Sequence, residues 1–75
     1  MNIDNERFHM IRKVYQLTTT ELAKLLGYSQ TYISAIDRGV EPVSENVQKK
    51  LTTVLEIDAI KMREIELSFE KFKVK

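Results

Sequence analysis

A run of small, uncharged side chains follows a glycine in the stretch GYSQTYISAIDRG, which spans residues 27–39. Its outward positions at helical spacing are Gln30, Thr31, Ser34 and Ala35. The amide and hydroxyl groups among them donate and accept hydrogen bonds without carrying charge. A helix face that meets only water normally carries Lys and Glu, so this composition indicates another partner. The groove of double-stranded DNA, with its hydrogen-bonding base edges, is the candidate.

Five N-cap signals divide the chain into helices that cover roughly residues 4–15, 18–26, 29–37, 44–55 and 58–72. The capping residues are, in order, Asp4, Thr18, Ser29, Ser44 and Asp58. Apolar residues recur at helical period in each segment, and no strand pattern competes before residue 64. The sequence therefore predicts an all-α fold.

The second and third helices are joined in a way that predicts a helix-turn-helix unit. The connection at Gly27 is too short for the two helices to lie flat as an antiparallel pair, so they must cross steeply. Gly27 supplies the positive φ that such a turn needs, and Ala23 is small where the two helices approach each other.

Composition excludes several classes of protein. The chain has 75 residues, which predicts one domain, and it has no cysteine for a disulfide, a thiolate metal site or a nucleophile. Its acidic residues are spread along helix faces and its single histidine, His9, has no companion ligand, so we expect no enzyme, no metal and no cofactor. Without an apolar span or signal peptide, we expect a cytoplasmic protein.

The stretch LTTTELAKLLGYSQTYISAIDRG, residues 17–39, resembles the helix-turn-helix of the Cro-like, lambda-repressor-like family of bacterial and phage transcription regulators. The matching positions are Leu22, Ala23, Gly27, Ser29, Ile33, Ile36, the acid and base at 37 and 38, and Gly39. With its flanks the resemblance covers about residues 5–57, and the family-like core is assigned to 1–57. It implies a compact five-helix domain that binds an operator, typically an inverted repeat, as a phage-type or mobile-element repressor.

The resemblance implies that the third helix enters the major groove and reads bases. Gln30 presents a donor and an acceptor side by side, which matches the N6 and N7 edge of adenine. Thr31 and Ser34 make shorter hydroxyl contacts or touch a thymine methyl. Ala35 lies where many members of that family have a longer polar or basic side chain, so we expect that base contact to be lost or replaced by methyl packing.

Other residues are assigned to the DNA backbone or to the fold. Thr19 and Thr20, in the first turn of the second helix, offer hydroxyls and backbone amides to a phosphate. The further phosphate candidates are Tyr32, Arg38 and Lys13; for Tyr32 and Lys13 a merely solvated position is an equal alternative. The resemblance also implies a structural ion pair between Arg12 and Asp37.

One departure from the family favours an alternative function. The loop GVEPVS, residues 39–44, carries Glu41 where the family commonly has a basic phosphate clamp, and the net charge is only +1. These features suit a protein-interaction module, such as an antirepressor or antitoxin, that keeps the helix-turn-helix fold.

The tail, residues 58–75, lies outside the resemblance. An apolar stripe at helical spacing predicts a fifth helix that joins two copies into a homodimer. The stripe consists of Met62, Ile65, Phe69 and Phe72. Two alternatives stay open: the stripe covers the core of its own chain, or the alternating Ile65, Leu67 and Phe69 form a strand across a dimer.

Overall fold

The computed structural model describes residues 2–73, with side chains described as far as residue 71. The helices are α1 (Asn5–Val14), α2 (Thr19–Leu26), α3 (Gln30–Asp37), α4 (Glu45–Val54) and α5 (Ala59–Lys73). Residues 2–73 contain no strand, so the all-α prediction is confirmed. No helix in this part of the chain has the length and apolar character needed to cross a membrane.

All five helices begin where the capping signals predict. The side chains of Asp4, Thr18, Ser29 and Ser44 each accept a hydrogen bond from the backbone N–H three residues later. Asp58 does the same for the N–H of Lys61, at 2.8 Å. Each of these bonds satisfies one donor that a helix N-terminus leaves without an intrahelical partner.

Every helix contributes apolar side chains to one buried core. α1 packs against α3 and α5, while α2 packs against α3 and α4. The buried residues are Ile3, Phe8, Ile11, Leu22, Ala23, Leu26, Ile33, Ile36, Val47, Leu51, Ile57, Met62 and Ile65. Because Ile33 and Ile36 belong to this core, the opposite face of α3 is directed to solvent.

The tail is helical through Lys73, so the strand alternative for residues 65–69 is wrong. Met62 and Ile65 are only 5% and 2% exposed in the single chain, where they join the core beside α1. This corrects their predicted place on the surface: burying them in the thin core of their own chain removes them from a contact with a second copy. Phe69 is half-buried, and the side chain of Phe72 lies outside the described residues.

Candidate nucleic-acid interface

The turn between α2 and α3 is built by backbone hydrogen bonds. Gly27 adopts φ +79°, in the left-handed region, and its N–H and that of Tyr28 donate to the carbonyl of Ala23 at 2.8 and 3.0 Å. Ser29 then caps α3, so that only three residues separate the two helices. A side chain at residue 27 would meet no atom within 4 Å, so the backbone conformation, rather than space, favours glycine there.

The four predicted base-reading residues lie on the side of α3 away from Ile33 and Ile36 but are not equally accessible. Gln30 and Thr31, in the first turn, are exposed. Ser34 and Ala35, one turn later, are half-buried. The most accessible polar groups of α3 are therefore at its N-terminus.

Gln30 and Thr19 are joined by a hydrogen bond that the sequence did not predict. The side-chain amide Nε2 of Gln30 donates to Oγ1 of Thr19 at 3.0 Å. A primary amide has a second N–H and a carbonyl oxygen, and both remain available for a bidentate contact. The bond therefore links a predicted base-reading side chain to a predicted phosphate-contacting one.

The first turn of α2 carries the two threonines assigned to phosphate. Thr18 and Glu21 form the predicted capping box, with bonds of 3.0 and 2.8 Å. The box satisfies the N–H of Glu21, while those of Thr19 and Thr20 lack an intrahelical acceptor by the geometry of an α-helix. Thr20 is exposed and Thr19 is half-buried. Such a helix N-terminus suits an anion.

The remaining phosphate candidates differ in their surroundings. Arg38 and Lys13 are exposed, at the ends of α3 and α1 respectively. Tyr32 is half-buried, and its ring packs against the core and against Tyr28, with centroids 5.4 Å apart. The tyrosine ring therefore has a packing role whether or not its hydroxyl meets DNA.

Arg12 and Asp37 form a bidentate ion pair between α1 and α3. Arg12 donates from Nε and Nη2 to the two carboxylate oxygens of Asp37 at 2.8 and 2.9 Å, and from Nη1 to the carbonyl of Leu17 at 2.7 Å. Burial raises the pKa of Asp37, but hydrogen bonds and positive charge from Arg12 and His9 lower it by more, so the net pKa is below its ordinary value. The pair fixes the C-terminal end of α3 against α1.

His9 also belongs to this cluster, although its side chain is still 37% exposed. Its Nδ1 lies 3.1 Å from both carboxylate oxygens of Asp37, and its ring meets Phe69 edge to face at a centroid distance of 6.3 Å. His9 precedes Arg12 by three positions and so shares its helix face. This spacing is the sequence signal that could have placed His9 near the Arg12–Asp37 pair.

Asn5 holds the loop that follows α3. Its Nδ2 donates to the carbonyls of Ile36 and Glu41 at 2.9 and 2.7 Å. This loop exposes Val40 to 67% and also exposes the Glu41 side chain. No local pattern around residue 5 could have indicated these bonds, because both partners lie more than thirty positions away.

The chain is similar to a protein of Pyrococcus furiosus that is provisionally named as an HTH-type transcriptional regulatory protein. The two are 33% identical over 61 residues, which make up 81% of this chain. The chain spans only about 19% of the length of that relative. No family model and no solved structure matches the chain. The similarity supports a regulator of the helix-turn-helix class.

Proposed function

We propose that the chain is a DNA-binding transcription regulator that reads double-stranded DNA with α3. The hydrogen bond between Gln30 and Thr19 is the observation that carries this proposal. It lies at the N-termini of both helices of a helix-turn-helix unit, where such a unit meets base edges and the backbone. The name of the Pyrococcus furiosus relative supports the same class of function.

The bond gives Gln30 and Thr19 complementary roles. Gln30 uses one N–H on Thr19, so its other N–H donates to N7 of adenine while its carbonyl oxygen accepts from N6. Thr19 accepts from Gln30, and its own hydroxyl hydrogen is then directed to a phosphate oxygen. A phosphate contact thereby fixes the amide that reads the base. A bidentate pair of this kind discriminates between bases by about 1–3 kcal/mol.

The finer proposal is a phage-type or mobile-element repressor of the Cro-like, lambda-repressor-like family. Two cations of each copy, Arg38 and Lys13, are assigned to phosphate, and the loop after α3 carries Glu41 in place of a basic residue. One copy on a half-site would bind weakly. Two copies on an inverted repeat gain affinity from doubled contacts and from effective concentration.

Selection of bound sequences from random duplex DNA tests this function. We expect enrichment of an inverted repeat with an adenine and thymine pair at one position of each half-site, and loss of that preference for Gln30→Ala. A library that shows no enriched sequence over several rounds would contradict the proposal.

A second candidate function is binding to a partner protein through the loop after α3. The exposed Val40 beside Glu41 is the observation that favours it, because an apolar residue next to an acid suits a protein surface better than a phosphate. Under this candidate Glu41→Lys weakens partner capture. Under the DNA proposal the same substitution strengthens DNA binding, because it removes a negative charge near phosphate.

A further inference from the structure

A groove runs along one face of α4 and ends at the turn between α2 and α3. It has a volume of about 540 Å³, and its walls come from Tyr28 of the turn and from residues of α4. Those of α4 are Asn46, Lys49, Lys50, Thr53 and Val54. They recur at spacings of three and four, so they share one helix face, beside the face that buries Val47 and Leu51. At 1.5 Å per residue this face is about 12 Å long, which matches two turns of a helix.

The groove has apolar surface contributed by Val54 and Tyr28. Val54, the last residue of α4, is 40% exposed. Tyr28 is half-buried, and its ring lies 5.4 Å from the ring of Tyr32, which packs on the core. The aromatic wall is therefore fixed by packing within the chain. An apolar side chain that entered the groove would remove surface of both residues from water.

The charged groups of the groove have one sign. Lys49 and Lys50 are both exposed, and within the described part of the chain neither takes part in a salt bridge. Among the described residues that line the groove, none is acidic. Glu45, one turn before Lys49, lies on the side of α4 that carries Gln48 and Thr52. Two unpaired ammonium groups beside apolar walls favour a ligand that carries carboxylates.

We propose that this groove binds an acidic amphipathic helix of a partner protein. Carboxylates of that helix pair with Lys49 and Lys50, and its apolar side chains pack between Tyr28 and Val54. Residues 2–73 contain no strand whose edge could pair with an extended segment, whereas a helix satisfies its own backbone hydrogen bonds. A DNA backbone fits less well, because phosphate groups gain nothing from the exposed side chain of Val54. The contact is small, so we expect a weak complex.

The groove contains none of the residues assigned to base edges or phosphates, so its occupant is tested without DNA. Tyr28 lies two residues before Gln30, and its ring contacts Tyr32 of α3. A partner helix against Tyr28 therefore lies beside the recognition helix. Under the proposed function, this surface brings an acidic partner protein to the DNA that the regulator binds.

Fluorescence anisotropy with a labelled synthetic helix tests the groove in the absence of DNA. The probe is an alanine-based peptide of about 14 residues that carries glutamates and leucines at helical spacing on one face. Its matched control has a lysine in place of each glutamate. We expect the acidic peptide to bind the intact chain with a Kd of about 10–100 μM, and the basic peptide to bind at least about tenfold more weakly.

Two substitutions in the groove separate the charge from the packing. Lys50→Glu should weaken binding of the acidic peptide at least about tenfold, and Val54→Ser should weaken it about threefold. Lys71→Glu, an equal change of charge on an exposed residue of α5, is the matched control and should change it by less than about twofold. Thermal melting of each variant shows whether it is folded. Amide chemical shifts of Asn46 and Thr53 should move when the peptide is added.

Several results would overturn the proposal. The intact chain binds neither peptide or binds both equally, Lys50→Glu behaves like Lys71→Glu, or the shift changes fall only on α1 and α5. A loss of affinity for a random DNA duplex that is larger in Lys50→Glu than in Lys71→Glu would assign the groove to phosphate instead. DNA selection is scored separately. A chain that enriches an operator but fails the peptide test would reject this groove and leave the proposed function intact.

Discussion

The carboxylate of Asp37 contacts both Arg12 and His9. The sequence indicates only part of this cluster. Arg12 and Asp37 were expected from a family resemblance, whereas His9 joined them through a contact between positions 28 apart. The cluster couples α1 to the end of α3 and brings Phe69 of α5 against the His9 ring. These side chains therefore fix the C-terminal end of α3 against α1.

Replacement of Arg12 tests the structural role of this cluster. Arg12→Ala leaves the mostly buried Asp37 carboxylate without its bidentate partner, and we expect the free energy of unfolding to fall by about 3 kcal/mol. The neighbouring Lys13→Ala removes an exposed cation and should change it by less than about 0.5 kcal/mol. Urea unfolding measures both. Equal losses for the two variants would show that the ion pair does not stabilise the fold.

The lowered pKa of Asp37 predicts an acid-sensitive contribution to stability. Because its pKa is lower in the folded state, Asp37 stabilises the fold fully at neutral pH. The contribution declines as pH approaches the ordinary value of 3.8 and is lost as pH falls through the folded pKa. The free energy of unfolding of Asp37→Asn should therefore fall less between pH 7 and pH 3 than that of the intact chain. Parallel curves would contradict this, and Glu41→Gln, at an exposed carboxylate, is the control.

The two ends of each helix carry different signals in the sequence. Each start has a side chain that accepts a backbone hydrogen bond three residues away, so its signal is local. α1 and α4 are instead followed, two residues after they end, by Gln16 and Glu56, which take φ values of +56° and +53° without being glycine. In both, the next residue's N–H bonds back to Arg12 or Thr52, which closes the last turn.

The left-handed backbone conformations of Glu56 and Gly39 predict opposite effects on the free energy of unfolding for two substitutions. Glu56→Gly relieves a left-handed conformation that costs side chains energy, and should raise the free energy of unfolding by about 0.5–1 kcal/mol. Gly39→Ala imposes that strain at φ +82°, with no clash within 4 Å, and should lower it by about 1 kcal/mol. Chemical unfolding of both variants checks the signs. A stabilised Gly39→Ala would contradict the account.

The fifth helix marks the limit of prediction at the level of elements. Its apolar stripe and the Asp58 cap identified a helix correctly, because both signals are periodic or local. The residues that cover the stripe belong to α1, which is distant in the sequence. The periodic pattern alone therefore could not show whether the stripe packs on the core of the same chain or on a second copy. The structure separates the apolar residues of α5 into two sets: Met62 and Ile65 are buried in the core, whereas Ile60 and Leu67 are exposed.

For the whole molecule, the near-zero net charge predicts an unusual DNA-binding profile. Two copies together offer about four candidate cations, from Arg38 and Lys13, so the slope of log affinity against log salt should be no steeper than about −3.6. Fluorescence anisotropy from 50 to 300 mM salt measures it. Lys13→Ala should make the slope shallower if Lys13 contacts phosphate and leave it unchanged if it is only solvated. A slope near −8 would mean that unassigned cations dominate binding.

Specificity, rather than affinity, is the central claim for this molecule, and it depends on Gln30 held by Thr19. The direct measurement is competition binding between a selected operator and the same operator with its conserved adenine and thymine pair replaced. We expect the intact chain to prefer the operator by about 1–3 kcal/mol and Gln30→Ala to lose that preference. Thr19→Val should weaken binding to both duplexes and also reduce the preference for the operator, because it removes the hydroxyl that accepts from Gln30. Thr20→Val should weaken binding to both duplexes without changing that preference. An unchanged preference in Gln30→Ala would contradict the account.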